Sequence, residues 1–221
     1  MAGKLIVIDG LDGSGKSTQI ERVTEILSKE YRVKTISFPD YANESSALVR
    51  MYLGGAFGDK PDDVNAYAAS SFYAVDRYAS YKQFWEQDYQ ADTVILAARY
   101  TTSNAIHQMS KLPKEEWDAY LAWLASYEYD KLGLPRPNGV IFLNMSKEAS
   151  DRLLLKRYGG DESKKDVHER DQKYQSDCRT AAEYAAKKDG WTLIECCKGE
   201  EILPIETITE KILEAVEGFL K

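Results

Sequence analysis

The sequence lacks several features that mark whole classes of protein. It contains no run of about 18 apolar residues, so we expect no membrane-spanning helix. Its three cysteines, Cys178, Cys196 and Cys197, are odd in number and include an adjacent pair, which predicts neither a disulfide framework nor a zinc site. The apolar stretch near the N-terminus ends at Asp9 and is too short for a signal peptide. We therefore expect a cytoplasmic protein whose thiols are reduced.

An excess of basic residues is also missing. The chain has 29 lysines and arginines against 36 aspartates and glutamates, which gives a net charge of -7. Proteins that bind nucleic-acid polymers normally carry a strongly basic face, so we expect no nucleic-acid partner. The 221 residues predict one domain, 1–221, with room for a small inserted lid.

Short apolar runs alternate with longer segments of helical periodicity. The predicted strands are Leu5–Asp9, Val33–Phe38, Thr93–Ala97, Gly139–Asn144 and Trp191–Glu195. Helices are predicted after the first strand (apolar stripe Ile20, Val23, Ile26 and Leu27), from Pro61 to Trp85, from Pro113 onwards and from about Pro204 to Leu220. This alternation predicts a three-layer α/β/α fold with a five-stranded parallel sheet. Ligands in such folds bind beyond the C-terminal ends of the strands, so the residues after each strand are the candidates for a site.

The segment after the first strand matches the phosphate-binding pattern G-x-x-x-x-G-K-[ST]. It runs from Gly10 to Thr18 between an apolar strand and an amphipathic helix. The glycines let the backbone wrap closely around an anion, and the N–H groups of the loop and helix N-terminus point at the phosphates. Lys16 is expected to neutralise the β- and γ-phosphates, and the Ser17 hydroxyl to bind Mg²⁺. The predicted nucleotide-phosphate site comprises Gly10, Gly13, Ser14, Gly15, Lys16, Ser17 and Thr18.

Two other classes of P-loop protein fit this chain less well. A GTPase is expected to carry an Asn-Lys-x-Asp segment that reads guanine, and no asparagine here is followed by lysine. A motor or transporter ATPase usually occurs in a longer chain. A compact P-loop domain of this length favours transfer of a phosphoryl group to a small acceptor, which is an analogy at the level of the fold.

Candidates for binding the acceptor lie near the ends of the predicted strands and on one helix. Arg99 follows the third strand, where its guanidinium is suited to bind a phosphate at two points; the alternative is a surface arginine. Tyr73 and Arg77 are four residues apart and share a helix face, which suits stacking on a base and bonding to its edge. From spacing alone, a cation–π or helix-surface pair is the alternative. Further candidates by position are Phe38, Ser103 and His107.

Residues 157–170 are predicted to form a mobile lid between two helices. Gly159 and Gly160 permit a hinge, and the basic residues that could close over a polyphosphate are Arg157, Lys164 and Lys165. Acidic residues nearly balance the basic ones in this region, so a solvated charged loop is the alternative.

Taken together, these motifs resemble those of the thymidylate kinase family, P-loop enzymes that phosphorylate dTMP to dTDP with ATP and Mg²⁺. The resemblance covers nearly the whole chain. The motifs are the Gly10–Thr18 loop, Phe38-Pro39, Tyr73 to Arg77, Arg99-Tyr100, Gly133 to Pro137, and Arg157. Many families share the P-loop alone, whereas this ordered set is much more specific. The resemblance implies ATP as the phosphoryl donor, Mg²⁺ as cofactor and a homodimer.

The resemblance also implies a role for each matching residue. Lys16 and the loop amides would bind the phosphates of ATP. Asp12 would accept a hydrogen bond from the 3′-hydroxyl of the deoxyribose. Tyr73 would stack on the thymine and Arg77 would hydrogen-bond its edge. Arg99 would hold the phosphate of the acceptor.

The chain departs from the family pattern at several positions. Ala98 stands where the family usually has an aspartate before its arginine, and Asp9, where glutamate is typical, is expected to take part of that role near the metal. Arg50 is the nearest substitute for the arginine that often follows Phe-Pro. Gly13 replaces an arginine of some members, so a lid residue, Arg157, Lys164 or Lys165, is expected to supply the missing charge.

Three hypotheses follow. The first is in-line phosphoryl transfer from ATP to dTMP, with Lys16, Arg99, Arg157 and Asp9 as catalytic residues. The second is a kinase for another nucleoside or nucleoside monophosphate. The third is a nucleotide-binding protein with weak catalysis, because the carboxylate expected at Ala98 is missing.

Overall fold

Five parallel strands form the centre of the molecule. The computed structural model describes residues 3–159, 161 and 171–221. The strands are β1 (Lys4–Gly10), β2 (Val33–Ser37), β3 (Val94–Ala98), β4 (Gly139–Asn144) and β5 (Thr192–Glu195). They pair in the order β2-β3-β1-β4-β5, and every pairing is parallel. The predicted α/β fold is therefore confirmed, and the predicted strand bounds differ from the observed ones by one residue at most.

Helices cover both faces of this sheet. They are α1 (Lys16–Leu27), α2 (Ala47–Leu53), α3 (Ala66–Ser80), α4 (Glu86–Gln90), α5 (Thr101–His107), α6 (Trp117–Ala125), α7 (Lys147–Arg157), α8 (Gln172–Asp189) and α9 (Ile205–Leu220). Ile6 and Ile8 of β1 pack towards α1 and α9, while Leu5 and Val7 pack towards α5, α6 and α8. Successive side chains of a strand point to opposite faces, so residues 5–8 of β1 are all apolar because both faces of the strand are buried there.

Helix boundaries agree less well with the predictions. The helix predicted from Pro61 begins at Ala66, because Asn65 caps it by accepting a 2.9 Å hydrogen bond from Ala68 N. A turn of π-helix, Tyr81–Trp85, continues it to α4. The helix predicted from Pro113 begins at Trp117, after a turn of 3-10 helix. A second π-helical turn, Ser126–Lys131, follows α6.

The apolar stripe predicted for α1 is only partly buried. Ile20, Val23 and Leu27 face the sheet, whereas Ile26 is 39% exposed. With 3.6 residues per turn, positions 20, 23 and 27 share a face that position 26 does not. A short hairpin of β6 (Cys197–Lys198) and β7 (Glu201–Ile202) was not predicted. Of the helices that the structure describes, none has the length and apolarity needed to cross a bilayer.

Candidate active site

The loop between β1 and α1 is folded around the ammonium group of Lys16. Its Nζ donates to the carbonyl oxygens of Gly10 at 2.7 Å and Leu11 at 2.8 Å. Gly15, at the N-cap of α1, has a φ of 80°, a left-handed conformation that favours glycine. Ser17 and Thr18 are exposed in the first turn of α1. The loop therefore presents a helix N-terminus, a cation and a hydroxyl at one place, which is the arrangement that binds a polyphosphate.

The charge of Lys16 depends on its surroundings. Burial, together with the nearby positive charge of Arg99, lowers the pKa of Lys16 to about 7, although the carboxylates of Asp12 and Asp9 act in the opposite direction. The ammonium and the neutral amine of Lys16 are thus present in comparable amounts at neutral pH in the protein alone. Negatively charged phosphates beside Nζ would stabilise it.

Gly13 is in contact with the backbone of α7. Its φ is 76°, and a Cβ at this position would lie 2.5 Å from the carbonyl oxygen of Ser150 and 3.0 Å from Cγ of Leu154. A side chain at position 13 therefore requires α7 to move. The P-loop and α7, whose last residue is Arg157, are packed directly against each other.

A cavity of about 660 Å³ opens beside the P-loop and extends to α3 and α5. The predicted site residues that line it are Gly13, Ser14, Gly15, Lys16, Ser17, Thr18, Asp12, Phe38, Tyr73, Arg77, Arg99, Ser103, His107 and Arg157. The structure thus brings most of the predicted donor and acceptor residues to one cavity. Lys164 and Lys165 lie outside the described residues.

Arg99 is at the centre of the polar groups in this cavity. Its backbone is left-handed, with a φ of 66°, immediately after β3. One terminal nitrogen, Nη2, pairs with Oδ1 of Asp12, and the other, Nη1, lies 3.0 Å from Nε2 of His107. Burial alone would lower the pKa of Arg99, but Asp12 and Asp9 raise it above the ordinary value, so the guanidinium stays charged.

Asp9 lies beneath this cavity rather than in it. Its carboxylate is fully buried and accepts hydrogen bonds from Gly10 N at 2.8 Å, Thr102 Oγ1 at 2.6 Å and Ser103 Oγ at 2.7 Å. These bonds join the end of β1 to the start of α5. Asp9 therefore holds two of the site's segments together, and the described residues satisfy both of its oxygens.

Arg77 is not a helix-surface residue. It is 1% exposed, and its Nε and Nη2 donate to the two carboxylate oxygens of Glu128 at 2.7 Å and 2.6 Å. The same carboxylate accepts from Asn104 Nδ2 at 3.0 Å. Tyr73 lies one turn away on α3, with its ring edge-on to Tyr52. Arg77 and Tyr73 both line the cavity, as their four-residue spacing predicts for a shared face.

The expectation that Arg50 reaches the acceptor is not supported by its position. Its Nη1 donates to Asn43 O at 2.9 Å and to Ser46 Oγ at 2.7 Å, and Arg50 does not line the cavity. The turn that precedes α2 supplies the acceptors for the Arg50 guanidinium. Ala98, by contrast, does line the cavity, beside Arg99.

Several residues of the site were not identified from the sequence. Asn104 and Gln108 line the cavity one position after Ser103 and His107, and Oε1 of Gln108 is buried without a hydrogen-bond partner in the part of the chain that the structure describes. The four-residue spacing of Asn104 and Gln108, which puts them on one helix face, was the available signal for these two. No sequence signal indicated Glu128, since it is far from Arg77 in sequence.

Two further missed residues belong to the segment after β2. Tyr41 lines the cavity and acts electrostatically on Arg99. Asp76, fully buried on α3, accepts hydrogen bonds from Asp40 N at 2.9 Å and Ser45 Oγ at 2.6 Å. Asp76 thereby holds the segment after Phe38 against α3. The sequence carries no local signal for this contact, because the burial of Asp76 results from tertiary packing.

The chain is similar to known proteins along most of its length. A family model described as thymidylate kinase matches residues 8–206. The thymidylate kinase of Mycobacterium tuberculosis strain H37Rv is 32% identical over 191 residues, which cover 85% of this chain and 87% of that protein. The thymidylate kinase of Homo sapiens is 28% identical over 144 residues, covering 65% and 61%. The solved structure of thymidylate kinase from Candida albicans superposes with a TM-score of 0.71 at 24% identity, covering 98% of this chain and 92% of that one.

Proposed function

The chain belongs to the thymidylate kinase family, and we propose from this premise that it transfers the γ-phosphoryl group of ATP to the phosphate of dTMP. The observation that carries the proposal is the shared cavity. The P-loop, which suits a nucleoside triphosphate, and the set formed by Tyr73, Arg77 and Arg99, which suits a nucleoside monophosphate, line the same 660 Å³ space. Donor and acceptor are then close enough for direct transfer.

On the donor side, the P-loop amides and Lys16 bind the β- and γ-phosphates. The Lys16 ammonium leaves the carbonyls of Gly10 and Leu11, to which it now donates, for phosphate oxygens. Mg²⁺ fits the exposed Ser17 hydroxyl, because this cation usually keeps several waters and is bound through phosphates and few protein groups. The bound ion would neutralise charge on the phosphates.

On the acceptor side, Arg99 binds the phosphate of dTMP. Its guanidinium stays charged and presents donors in a fork that matches phosphate oxygens. An acceptor phosphate is already an anion, so no general base is required and catalysis consists of positioning and charge neutralisation. Arg157, at the end of α7, lines the cavity and is proposed to add positive charge to the transferring group.

The base is proposed to bind between Tyr73 and the polar groups of α5. Arg77 is held at two points by Glu128, and a guanidinium only donates hydrogen bonds. It therefore selects a base that presents a carbonyl oxygen at that edge. Gln108 offers the complementary acceptor, because its buried Oε1 makes no hydrogen bond within the described residues. A thymine ring, with carbonyl oxygens beside an N–H, satisfies both groups.

The deoxyribose is proposed to bind near Asp12, whose carboxylate would accept from the 3′-hydroxyl. Asp12 pairs with Arg99 in the structure. This pairing supports the proposal, because the sugar and the 5′-phosphate of a deoxynucleotide are adjacent.

Weak catalysis is the second candidate function, and Ala98 favours it. Position 98 lines the cavity without a carboxylate, and Asp9 cannot replace it without giving up its hydrogen bonds to Thr102 and Ser103. In this case both nucleotides bind and turnover is slow.

One experiment separates these functions. ADP release would be measured with ATP and dTMP, dUMP, dCMP, dGMP or thymidine as acceptor, with the Lys16→Ala variant as control. The leading proposal expects dTMP to be the best acceptor and the variant to be inactive. Turnover of thymidine without turnover of dTMP contradicts it. Calorimetric binding of both nucleotides without turnover supports the second candidate.

We also propose a homodimer formed through α3. Tyr67, Val75 and Tyr78 lie on one face of this helix and are 38–40% exposed, and Leu48 and Met51 of α2 are exposed as well. An apolar patch of this kind marks an interaction surface. Light scattering would give the mass in solution, and Val75→Arg is expected to convert a dimer to a monomer. A monomeric wild-type protein would contradict the proposal.

Two other expectations stay proposals. Residues 1–221 would form one domain with a lid at about 157–170, which limited proteolysis with and without nucleotides would test. The location would be cytoplasmic, which cell fractionation would test.

A further inference from the structure

The imidazole of His107 joins Arg99 to α8. Its Nε2 lies 3.0 Å from Nη1 of Arg99, and its Nδ1 lies 3.5 Å from Sγ of Cys178. His107 is the last residue of α5 and is buried, and Cys178 is fully buried in α8. The ring of His107 therefore connects Arg99, which follows β3, to Cys178 of α8.

Hydrogen-bond chemistry decides the protonation of this ring. A guanidinium has five N–H donors and no acceptor, so Nε2 of His107 must accept the hydrogen bond from Arg99. An imidazolium has no acceptor nitrogen and would also repel the guanidinium. The ring is therefore neutral, with its proton on Nδ1, which points at the sulfur of Cys178.

The residues of α8 favour this form of the ring. Burial raises the pKa of Cys178 to about 12, so its sulfur is a neutral thiol that can act as a weak acceptor. The sulfur also lies 3.4 Å from Oγ of Ser110. The hydroxyl of Tyr174 donates to the carbonyl oxygen of His107 at 2.7 Å, and the two rings are stacked. The position of the imidazole is thus set by α8 as well as by α5.

We propose that His107 is a positioning residue for phosphate recognition, which acts as a neutral hydrogen-bond acceptor and orients the guanidinium of Arg99. The inference rests on the proposed function, because its effect is expressed on the phosphate of dTMP. Asp12 holds Nη2 and His107 holds Nη1, so the plane of the guanidinium is defined from both sides before a ligand arrives. An arginine held in its binding orientation loses less conformational freedom when the phosphate binds.

A pair of variants tests this role. His107→Gln keeps an acceptor, the amide oxygen, within reach of Arg99, whereas His107→Leu has similar bulk and no acceptor. We expect His107→Leu to weaken dTMP binding by about tenfold and thymidine binding by less than about twofold, measured by calorimetry. His107→Gln should recover most of the affinity for dTMP. The KM for ATP serves as the control for folding and for the donor site.

Other results would overturn the inference. Equal losses for dTMP and thymidine would make His107 a nucleoside contact or a packing residue, and unchanged dTMP binding in His107→Leu would remove it from phosphate recognition. A wild-type protein that does not bind dTMP would refute the proposed function and this inference together. Normal wild-type binding with an unaffected His107→Leu variant would refute the inference alone.

A second measurement needs no change at the site. The chain has two histidines, so nitrogen NMR of labelled histidine can be assigned with a His168→Gln variant. We expect His107 to carry its proton on Nδ1 at neutral pH. A proton on Nε2, or on both nitrogens, would contradict the hydrogen bond to Arg99 and overturn the inference.

Discussion

Arg77 and Glu128 form a fully buried ion pair, with Nε 2.7 Å from Oε2 and Nη2 2.6 Å from Oε1. Glu128 belongs to the π-helical turn after α6, and Arg77 to α3. The pair joins two helices and fixes the direction in which Arg77 meets the cavity. Both side chains are removed from water, so each depends on the other for its charge to be tolerated.

Glu128→Gln is expected to destabilise the protein. The substitution keeps the shape of the side chain and leaves Arg77 as a buried charge without its partner, which costs about 3–5 kcal/mol. Chemical denaturation measures this cost. Asp130→Asn is the control, because Asp130 pairs with Arg136 in an exposed position and should cost at most about 1 kcal/mol. Similar losses of unfolding free energy in the two variants would show that the buried pair stabilises the protein no more than the exposed pair does.

Gly13→Ala is expected to separate the P-loop from α7. An alanine at a φ of 76° is strained, and its Cβ would lie 2.5 Å from the backbone of Ser150. Gly190→Ala is the matched control, since Gly190 has a φ of 68° and open space around it. Both variants lose about 1–2 kcal/mol to the backbone conformation. Only Gly13→Ala should lose more and raise the KM for ATP, and equal thermal shifts would contradict the contact.

Nucleotide binding is expected to take up a proton above neutral pH. Burial and the charge of Arg99 lower the pKa of Lys16 to about 7, so at about pH 8 the free protein holds it mostly neutral. Phosphates restore the ammonium form, and the affinity for ATP should therefore fall as the pH rises above 7. Calorimetry in two buffers of different ionisation enthalpy measures the uptake, about one proton per nucleotide. Binding without proton uptake at this pH would contradict the lowered pKa.

Ala98→Asp is expected to raise kcat with little change in the affinity for dTMP. A carboxylate at position 98 would enter the cavity beside Arg99, where family resemblance places the aspartate near the metal. Each tenfold gain in kcat corresponds to about 1.4 kcal/mol of activation free energy. Ala98→Asn is the control, because it has the same shape without the charge. An unchanged kcat in Ala98→Asp would show that the missing carboxylate does not limit turnover.

Arg99→Ala is expected to weaken dTMP binding much more than thymidine binding. The variant loses the guanidinium that binds the phosphate, and thymidine has no phosphate to lose. Calorimetry with both ligands gives the ratio of the two affinities. Arg50→Ala should leave this ratio unchanged, since Arg50 is bound to the turn before α2. A large effect of Arg50→Ala would restore its predicted place in the acceptor site.

The elements that could be predicted from the sequence depend on local patterns. All five strands of the sheet were predicted. The central strands β1, β3 and β4 stand out as apolar runs because they are buried on both faces, whereas the edge strands β2 and β5 are only partly buried and carry polar residues. The P-loop was likewise recognisable, since its glycines, Lys16 and Ser17 act within one short segment. Helix ends were predicted poorly where a capping residue such as Asn65 competes with a proline signal.

The pairing of charged side chains in the site was decided by the tertiary structure. Arg50 is the first arginine after Phe38-Pro39 in sequence, yet its guanidinium donates to Asn43 in the turn before α2, while Glu128, with no local signal, orients Arg77. The sequence determined by itself the sheet and the phosphate loop, because their chemistry is set by neighbouring residues. Only the fold decided which charges are paired, since removing a charge from water is tolerated where packing brings a partner from a distant part of the chain.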